Sequence, residues 1–252
     1  LTYAAFFDGS VANVRFFSKA LNADQVRELY DYQKDYFLGT RSSVTLYKGH
    51  LGIGVAEPSG QLELAGDERI QEYPPGPMSG YETHIPGHGV FCVSASPQYI
   101  DTNYIAWKAF NKVIGNEAWH GLQKYSSGVY AGTDSLGGIF GDYLILKLPY
   151  KINLKSIVMS PRSSLAVRSA GTGVILGSND DVNWEQVHSF SGLAEVTTPT
   201  TISDISATKN YSVFAIVVTK LAGTGVNSDY VNISELKFFG TPGPTTLDKG
   251  SL

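Results

Sequence analysis

The chain has 252 residues, of which 42% are hydrophobic and 17% are charged, and its formal net charge is −4 at pH 7. The low charge content and the lack of a lysine or arginine run exclude the electrostatic surface of a nucleic-acid binder. The 27 glycines and 15 tyrosines, among many Val, Ser and Thr residues, are typical of turn-rich strands and predict an all-β fold.

The single cysteine, Cys92, excludes an intrachain disulfide and leaves the compartment open. No apolar run approaches the roughly 18 residues of a membrane span, so membrane insertion is not expected. The first residues have neither the basic flank nor the apolar run of a signal peptide. Because the chain begins at Leu1 rather than at a methionine, we expect it to be a fragment.

The first forty residues predict one strand followed by one helix. Asn22 and Gln25 stand three residues apart, which is the spacing of a capping box, and Gly39 is placed to end the helix. The pattern predicts a helix from about Ala23 to Phe37. Its apolar side chains share one face, which we expect to pack on protein: Val26, Leu29 and Tyr30.

The stretch FDGSVANVRFFSKALNADQVRELY, with its alternating strand over residues 11–16, resembles the closing strand and terminal helix of a concanavalin A-like (laminin G-like) jelly roll. This resemblance implies that residues 1–40 are the C-terminal end of such a domain. The remainder of that jelly roll is then expected upstream of Leu1.

Residues 44–72 contain two short strand-like runs separated by EPSG, whose Pro and Gly favour a turn. The phrase LGIGVAEPSGQLELAG is similar to the neck repeats of phage and viral tail fibres, where three chains wrap around one another. The resemblance implies a homotrimer. The alternative is an intramolecular hairpin that links two domains.

The next segment, YPPGPMSGYETHIPGHG, has the composition of a linker, so residues 41–89 are interpreted as a fibre-like neck followed by a Pro/Gly-rich linker. We expect its Tyr and Pro side chains to pack on a neighbouring domain surface. His84 and His88 have zinc-ligand spacing only on a helix, and Pro86 between them disfavours a helix.

Residues 90–240 change to short strands separated by turns, without intervening helices, and residues 241–252 form a tail. Strands at this spacing predict one antiparallel β-sandwich. The strand-like runs are VFCVSAS, YLILKLPY, SIVMSPR, GVILGSN, WEQVHSF, YSVFAIVVTK and NISELKFFG.

Four blocks in this region follow the order found in the discoidin, or coagulation-factor type C, domain and the related galactose-binding-like modules. They are AWKAFNKVIGNEAW, GDYLILKLPYKINLKSIVMSPR, GVILGSNDDVNWEQV and the final strands through YVNISELKFFG. The resemblance implies a discoidin-like β-sandwich (jelly roll) over most of residues 90–240.

Large aromatic side chains flank the turns of this predicted sandwich. Burying one of them contributes on the order of 1.5–3 kcal/mol, so they are expected in the core rather than in a site. These residues are Trp107, Phe110, Trp119 and Trp184.

The resemblance implies a calcium site in the loop from Asn111 to Glu117, with Asn111, Asn116 and Glu235 as ligands. The loop departs from the family pattern, since Asn111 replaces an Asp and Lys112 replaces a Gly. Both changes weaken a site that needs about six to eight oxygen ligands. The alternatives are that Lys112 replaces the ion electrostatically or that the loop is simply hydrogen-bonded.

Glycan contacts in the resembled family come from loops at one end of the barrel, where an aromatic ring stacks on the sugar and polar groups bond its hydroxyls. The resemblance implies Tyr230 as the stacking ring and Arg162 and His120 as polar contacts, with Arg168 and Tyr130 as weaker candidates. The alternatives are ordinary loop packing for Tyr230, a surface charge for Arg162 and a hydrogen-bonded turn residue for His120.

No nucleophile elbow, phosphate-binding loop or dinucleotide fingerprint occurs, so we expect no enzyme. Two functions remain open: a carbohydrate-binding attachment module that recognises cell-surface glycans, and a structural capsid or fibre module that contacts other capsid or surface proteins. The order of segments, and GDERIQEYPPGPMSGYETHIPGHGVF in particular, is similar to surface proteins of large algal DNA viruses. This implies a virion surface, and an extracellular surface protein would look much the same.

Overall fold

The computed structural model describes residues 16–37, 44–55, 57–64, 69–99, 101–243 and 245–247. Most of the strand predicted over residues 11–16 therefore lies outside the described residues. No helix among the described residues has the length and apolar character needed to cross a membrane.

The regular elements are numbered in chain order. They are α1 (Ala23–Phe37), β1 (Val44–Tyr47), β2 (His50–Ile53), β3 (Leu62–Leu64), β4 (Gln71–Tyr73), β5 (Glu82–Ile85), β6 (Gly89–Ala95), β7 (Trp119–His120), β8 (Tyr125–Ser126), β9 (Val129–Tyr130), β10 (Ser135–Leu136), β11 (Ile139–Phe140), β12 (Asp142–Ser160), β13 (Ala170–Ser178), β14 (Glu185–Phe190), β15 (Thr200–Ile202), β16 (Tyr211–Leu221), β17 (Asn232–Ile233), β18 (Glu235–Pro242) and β19 (Thr245–Leu247).

The helix α1 has the predicted bounds and the predicted cap. The Asn22 N–H donates to Gln25 Oε1 at 3.1 Å, and the Gln25 N–H donates to Asn22 Oδ1 at 2.8 Å, which closes the capping box. Among the described residues, the predicted packing of its apolar face is not found, because Val26 is 53% exposed and Tyr30 is 62% exposed. Local hydrogen bonding fixes the start of the helix, whereas the packing of its face depends on contacts that the local pattern does not contain.

The neck segment forms a four-stranded sheet with the order β1-β2-β3-β19. The first predicted run is itself a hairpin, since β1 and β2 pair antiparallel around the turn Lys48–Gly49, where both residues have positive φ. β2 then pairs parallel with β3, and β3 pairs antiparallel with β19 from the C-terminal end of the chain. The segment is thus tied to the far end of the sequence rather than closed as one intramolecular hairpin.

The rest of the described chain is an antiparallel β-sandwich, which confirms the predicted all-β class. One layer follows the order β5-β6-β12-β16-β13-β14, and the other follows β15-β12-β18-β4. The long strand β12 belongs to both layers: residues 142–147 pair with β16 and β6, and residues 152–160 pair with β18. The register shifts between Lys147 and Ile152.

The sequence pattern predicts two strands, YLILKLPY and SIVMSPR, where the structure has the single strand β12. Pro149 lies inside the shifted segment and has no N–H to donate to a ladder. The strand therefore changes partners at this point instead of ending. One continuous element carries the chain from one layer into the other.

The two layers meet in an aromatic core. Phe214 of β16 lies 5.7 Å, ring centre to ring centre, from Phe238 of β18, and Phe238 stacks on Phe110 at 6.4 Å. Trp119 is fully buried in this core, as predicted. Trp107 is only half-buried at its edge, packed against the core beneath the Lys108 ammonium, whose Nζ lies 4.5 Å from the ring centre.

Trp184 departs from its predicted place in the core between the layers. It is half-buried on the outer face of the first layer, where it packs on Leu176 and Val217 beside Leu136 of the β10–β11 hairpin. Because strand side chains alternate between faces, Leu176 and Val217 point outward while Ile175 and Ile216 fill the main core. The hairpin covers an outer apolar strip that the alternation creates.

The segment interpreted as a linker belongs to the sandwich. β4 pairs with β18, and β5 pairs with β6. Tyr73, Met78 and Ile85 are buried, and His88 Nδ1 lies 2.7 Å from the Tyr150 hydroxyl. Of its two tyrosines, Tyr73 is buried in the core and Tyr81 is 45% exposed, so the stretch is part of the sandwich rather than a linker lying on its surface.

Candidate ligand-binding site

The candidate site lies at the end of the sandwich where β12 ends at Ser160 and the two short strands β7 and β17 pair with each other. In that pair His120 stands opposite Asn232, and the Gly121 N–H donates to Val231 O at 3.0 Å. This pairing brings Tyr230, just before β17, beside His120. Their ring centres are 4.9 Å apart in an edge contact.

Two further tyrosines reach the same place from the loop after β6. The Tyr99 N–H donates to His120 O at 2.9 Å, and the His120 N–H donates to Tyr104 O at 3.2 Å. The His120 ring centre consequently lies 5.2 Å from that of Tyr99 and 5.6 Å from that of Tyr104. The resulting aromatic–arginine cluster consists of Tyr99, Tyr104, His120, Arg162, Arg168 and Tyr230.

Each arginine of the cluster lies over one tyrosine. The guanidinium carbon of Arg162 is 4.7 Å from the Tyr104 ring centre, and its Nη2 donates to the Tyr104 hydroxyl at 2.8 Å. The guanidinium carbon of Arg168 is 4.7 Å from the Tyr230 ring centre. Because such stacking also holds a flexible side chain in one orientation, both cations are positioned before any ligand arrives.

The hydrogen bonds of His120 define its tautomer. Nδ1 lies 2.7 Å from the Gly121 carbonyl, which only accepts, so Nδ1 carries the proton. Nε2 lies 3.2 Å from Arg168 Nη1, which only donates, so Nε2 is the acceptor. Burial lowers the pKa of His120 from its ordinary value of 6.5, and the charges of Arg168 and Arg162 lower it further. His120 is therefore neutral at pH 7 and serves to hold Arg168.

The exposed fraction of each ring indicates whether it can touch a ligand or only supports its neighbours. His120 is only 6% exposed and is buried beneath the tyrosines, whereas Tyr99 is 46% exposed and offers the most open ring of the cluster. Tyr230 is half-buried, with its hydroxyl 3.3 Å from Gln123 Oε1. An open aromatic face beside two guanidiniums is suited to a ring-shaped ligand that also carries hydrogen-bond acceptors.

The structure brings together four of the five sequence-predicted ligand residues: His120, Arg162, Arg168 and Tyr230. The fifth, Tyr130, has its hydroxyl 3.0 Å from Asp134 Oδ2 and its ring against Tyr125, outside the cluster. Its role in ligand binding stays a prediction that these contacts do not support.

Sequence reasoning missed Tyr99 and Tyr104. Both lie in QYIDTNY, an aromatic-rich stretch without strand or helix periodicity directly before the first tryptophan block. Two tyrosines in a turn-rich loop are the available signal. Their convergence on His120 depends on tertiary hydrogen bonds that no local pattern contains.

The predicted calcium loop is closed by its own side chains. Asn111 Nδ2 donates to Glu117 Oε2 at 2.9 Å, while Asn111 Oδ1 accepts from the Val113 N–H at 2.9 Å. Asn116 points away from Glu235, since its Oδ1 accepts from the hydroxyls of Ser163 and Ser164 at 3.0 and 3.3 Å. The oxygens expected to converge on an ion are turned towards different partners.

Lys112 contacts Glu235 through both its backbone N–H and its ammonium group. Its N–H donates to Glu235 Oε2 at 2.9 Å, and its Nζ lies 3.8 Å from Glu235 Oε1. The same ammonium pairs with Glu72 and donates to Pro74 O at 2.7 Å. Calcium needs about six to eight oxygens around an open centre, and a tethered ammonium already lies among these few. The residues present do not fit calcium, and they agree with the alternative that Lys112 replaces the ion.

Glu235 is fully buried beneath this loop. Burial raises its pKa to about 7, although the positive charge of Lys112 acts in the opposite direction. Removing a carboxylate from water costs more than one partly exposed ammonium returns. The charge of Glu235, and with it the ion pair between Glu235 and Lys112, therefore changes with pH near neutrality.

The sequence matches no protein-family model and no curated protein. Solved structures similar to this chain include the family 32 carbohydrate-binding module of Clostridium perfringens NanJ in complex with galactose, at 19% identity and TM-score 0.44, covering 59% of this chain and 93% of that one. Another module from that organism, in complex with GalNAc-β-1,3-galactose, is 16% identical with TM-score 0.46, covering 60% and 95%. An F5/8 type C domain from Bacteroides fragilis is 15% identical with TM-score 0.43, covering 60% and 92%.

Proposed function

We propose that the sandwich is a non-catalytic carbohydrate-binding module whose ligand lies against the aromatic–arginine cluster. The observation that carries this proposal is the convergence of rings and preset guanidiniums at one end of the sandwich. Sugars present an apolar face of C–H groups and a rim of hydroxyls, which match an aromatic floor with a few oriented polar groups. Tyr99 and Tyr230 supply rings, and Arg162 and Arg168 supply donors.

The setting that we propose is attachment, with the module displayed on a virion fibre or another extracellular surface as a homotrimer. The neck sheet supports this proposal because four of its apolar side chains are exposed in the single chain. A single shallow sugar site binds weakly, so several copies acting together would give useful attachment. The exposed residues are Val44, Leu46, Leu51 and Ile53, at 67%, 77%, 37% and 45%.

The same exposed side chains also favour the second candidate function, a capsid or fibre assembly module that contacts other surface proteins without binding glycans. Contiguous exposed apolar side chains mark interaction sites whichever partner covers them. The two candidates therefore differ at the aromatic–arginine cluster and not at the neck.

A glycan array probed with the complete chain, labelled and displayed multivalently on beads, tests the proposed function. We expect binding to a restricted set of glycans, and competition by the corresponding free oligosaccharide. A chain that elutes as a folded oligomer and binds no glycan on the array would contradict the proposal and favour the assembly module. A chain that elutes as a monomer would contradict the proposed trimer. The array result would still decide whether that monomer binds a glycan.

Glycan binding is expected to weaken at least about fivefold as the pH falls from 7 to 5. Protonated His120 no longer accepts from Arg168 and repels it. A histidine with a lowered folded pKa contributes stability above its unfolded pKa, and this contribution is lost as the pH falls through the folded pKa, so the loss lies below about pH 6.5. Titration calorimetry at several pH values, with circular dichroism to verify the fold, measures the effect.

The matched control for this prediction is another histidine. His84 is exposed on β5, so the His84→Gln variant should retain the pH dependence of the parent chain. The His120→Gln variant should lose it, because glutamine cannot take up the proton that His120 gains as the pH falls. An affinity that stays constant from pH 7 to pH 5 in the folded parent chain would contradict the assigned role of His120.

A further inference from the structure

The aromatic–arginine cluster contains more positive than negative charge. Arg168 has one carboxylate, Asp229, whose Oδ1 lies 3.6 Å from its Nη2. Arg162 makes no ion pair with the part of the chain that the structure describes, and its buried Nε has no hydrogen-bond partner there. Asp101, in the adjacent loop, instead accepts from the Asn103 N–H at 2.8 Å. Among the described residues, the two guanidinium groups therefore have one carboxylate partner in total, Asp229, and it pairs with Arg168.

This arrangement is costly without a ligand. A buried donor that has lost water and found no acceptor destabilises the folded chain, and more so when the group is charged. The two arginines also repel each other, since the charge of Arg162 is among the causes that lower the pKa of Arg168, after burial. An anionic acceptor between them would relieve both costs at once.

We propose that the ligand of this site is an acidic glycan, in which a sugar carboxylate or a sulfate ester bonds Arg162 beside the aromatic floor. The inference rests on the proposed function and names the class of its ligand. Guanidinium groups bind carboxylate and sulfate-like oxygens through two parallel N–H donors, which gives both strength and orientation. A neutral sugar would fill the ring contacts and leave the guanidinium of Arg162 without a charged partner.

The experiment compares three probes that share one sugar skeleton: a galacto-oligosaccharide, the matching galacturonate oligosaccharide and galactose 6-sulfate. Affinities are measured by titration calorimetry on the complete chain at pH 7 and two salt concentrations. We expect one of the acidic probes to bind at least about tenfold more tightly than the neutral one, and the difference to shrink at high salt because charge pairs are screened. The carboxylate and sulfate arms identify which anion is preferred.

The Arg162→Gln variant keeps a hydrogen-bonding side chain and removes the charge. It should bind acidic and neutral probes within about threefold of each other, whereas Arg162→Lys should keep part of the preference for the anion. Lys209→Gln is the matched control, because Lys209 is an exposed cation paired with Glu185 outside the cluster. That control should leave both affinities unchanged.

The outcomes separate this inference from the function on which it rests. Binding of the neutral probe with equal or higher affinity would overturn the acidic class while keeping a sugar site. Failure of every sugar probe would overturn the proposed function as well. Binding to vesicles that contain phosphatidylserine, without binding to any sugar probe, would assign the two arginines to a lipid headgroup and overturn both statements.

Discussion

Replacing Lys112 with methionine is expected to destabilise the sandwich by about 2 kcal/mol at pH 8 and by less than half of that at pH 5. Methionine keeps most of the apolar stem and removes the ammonium. Lys112 has a positive φ of 64°, in a region that favours glycine, so its backbone is held there against its own preference. The contacts of its N–H and its Nζ are what stabilise that conformation.

The pH dependence follows from the buried carboxylate beneath Lys112. Without the ammonium, Glu235 is a buried charge with a single backbone donor, so its pKa rises above the value of about 7 found in the parent chain. Stability linked to a raised carboxyl pKa is fully present below the unfolded pKa and is lost as the pH rises through the folded pKa. Glu235 loses its proton above about pH 7 in the parent chain and only at a higher pH in the variant, so the penalty of the variant grows above about pH 7 and is larger at pH 8 than at pH 5.

Urea denaturation at the two pH values, followed by tryptophan fluorescence, measures the effect. Lys209→Met is the control, since it removes an exposed cation from an exposed pair and should leave stability nearly unchanged at either pH. The double variant Lys112→Met with Glu235→Gln should recover stability at pH 8. An equal loss at pH 5 and pH 8 would show that Glu235 is not the group responsible.

A measurement of the melting temperature tests whether this loop binds calcium. If the ammonium of Lys112 supplies the positive charge of this loop, then neither calcium nor a chelator should change the melting temperature of the parent chain. A ligand that binds only the folded state raises its stability in proportion to RT ln(1 + [L]/Kd). A melting temperature that rises with calcium concentration would therefore contradict this role of Lys112 and support the calcium site that the resemblance implies.

Sequence reasoning was most successful where the cause is local. The capping box of Asn22 and Gln25 involves residues three apart, and both of its hydrogen bonds are present. Strand alternation also located most of the sandwich strands. In contrast, the interpretation of residues 73–89 as a linker followed composition alone. Tyr73 is buried because β4 pairs with β18 from the far end of the chain, opposite Phe238, which no local window reveals.

The candidate site shows the same division. The resemblance implied His120 after Trp119, Arg162 at a strand end and Tyr230 before the last strand, with Arg168 as a weaker candidate. The structure brings these four together. The resemblance did not predict the exposure of these side chains. His120 is buried and holds Arg168, and the open ring of Tyr99 was not among the predicted residues. Exposure depends on how several loops pack together, and the sequence contains no direct record of it.

Replacing Tyr230 with alanine is expected to weaken glycan binding by about 30-fold or more, which corresponds to about 2 kcal/mol. Tyr230 has two ring contacts within the cluster and one hydroxyl contact outside it. It packs edge-on against His120 at 4.9 Å, it supports the guanidinium of Arg168 at 4.7 Å, and its hydroxyl lies 3.3 Å from Gln123 Oε1. Its removal would take away a sugar-facing ring and release an oriented arginine at the same time.

Two further variants separate the ring from its hydroxyl and from general effects. Tyr230→Phe keeps the ring contacts and loses only the bond to Gln123, so its affinity should stay within about threefold of the parent chain. Phe140→Ala removes a ring that is 62% exposed on the β10–β11 hairpin, away from the cluster, and should not change binding. Circular dichroism and the melting temperature verify that each variant is folded.

Tyr99→Ala then decides which ring lies beneath the sugar. Tyr99 is the more open ring and, in the part of the chain that the structure describes, no arginine stacks on it, whereas Tyr230 also holds Arg168 in place. If Tyr230 is the floor, its alanine variant should lose affinity for neutral and acidic probes alike, and Tyr99→Ala should have the smaller effect. If Tyr99 is the floor, the order reverses, and Tyr230→Ala should act mainly on acidic probes, because Arg168 loses its support. Unchanged binding in both variants would remove the aromatic–arginine cluster from the site.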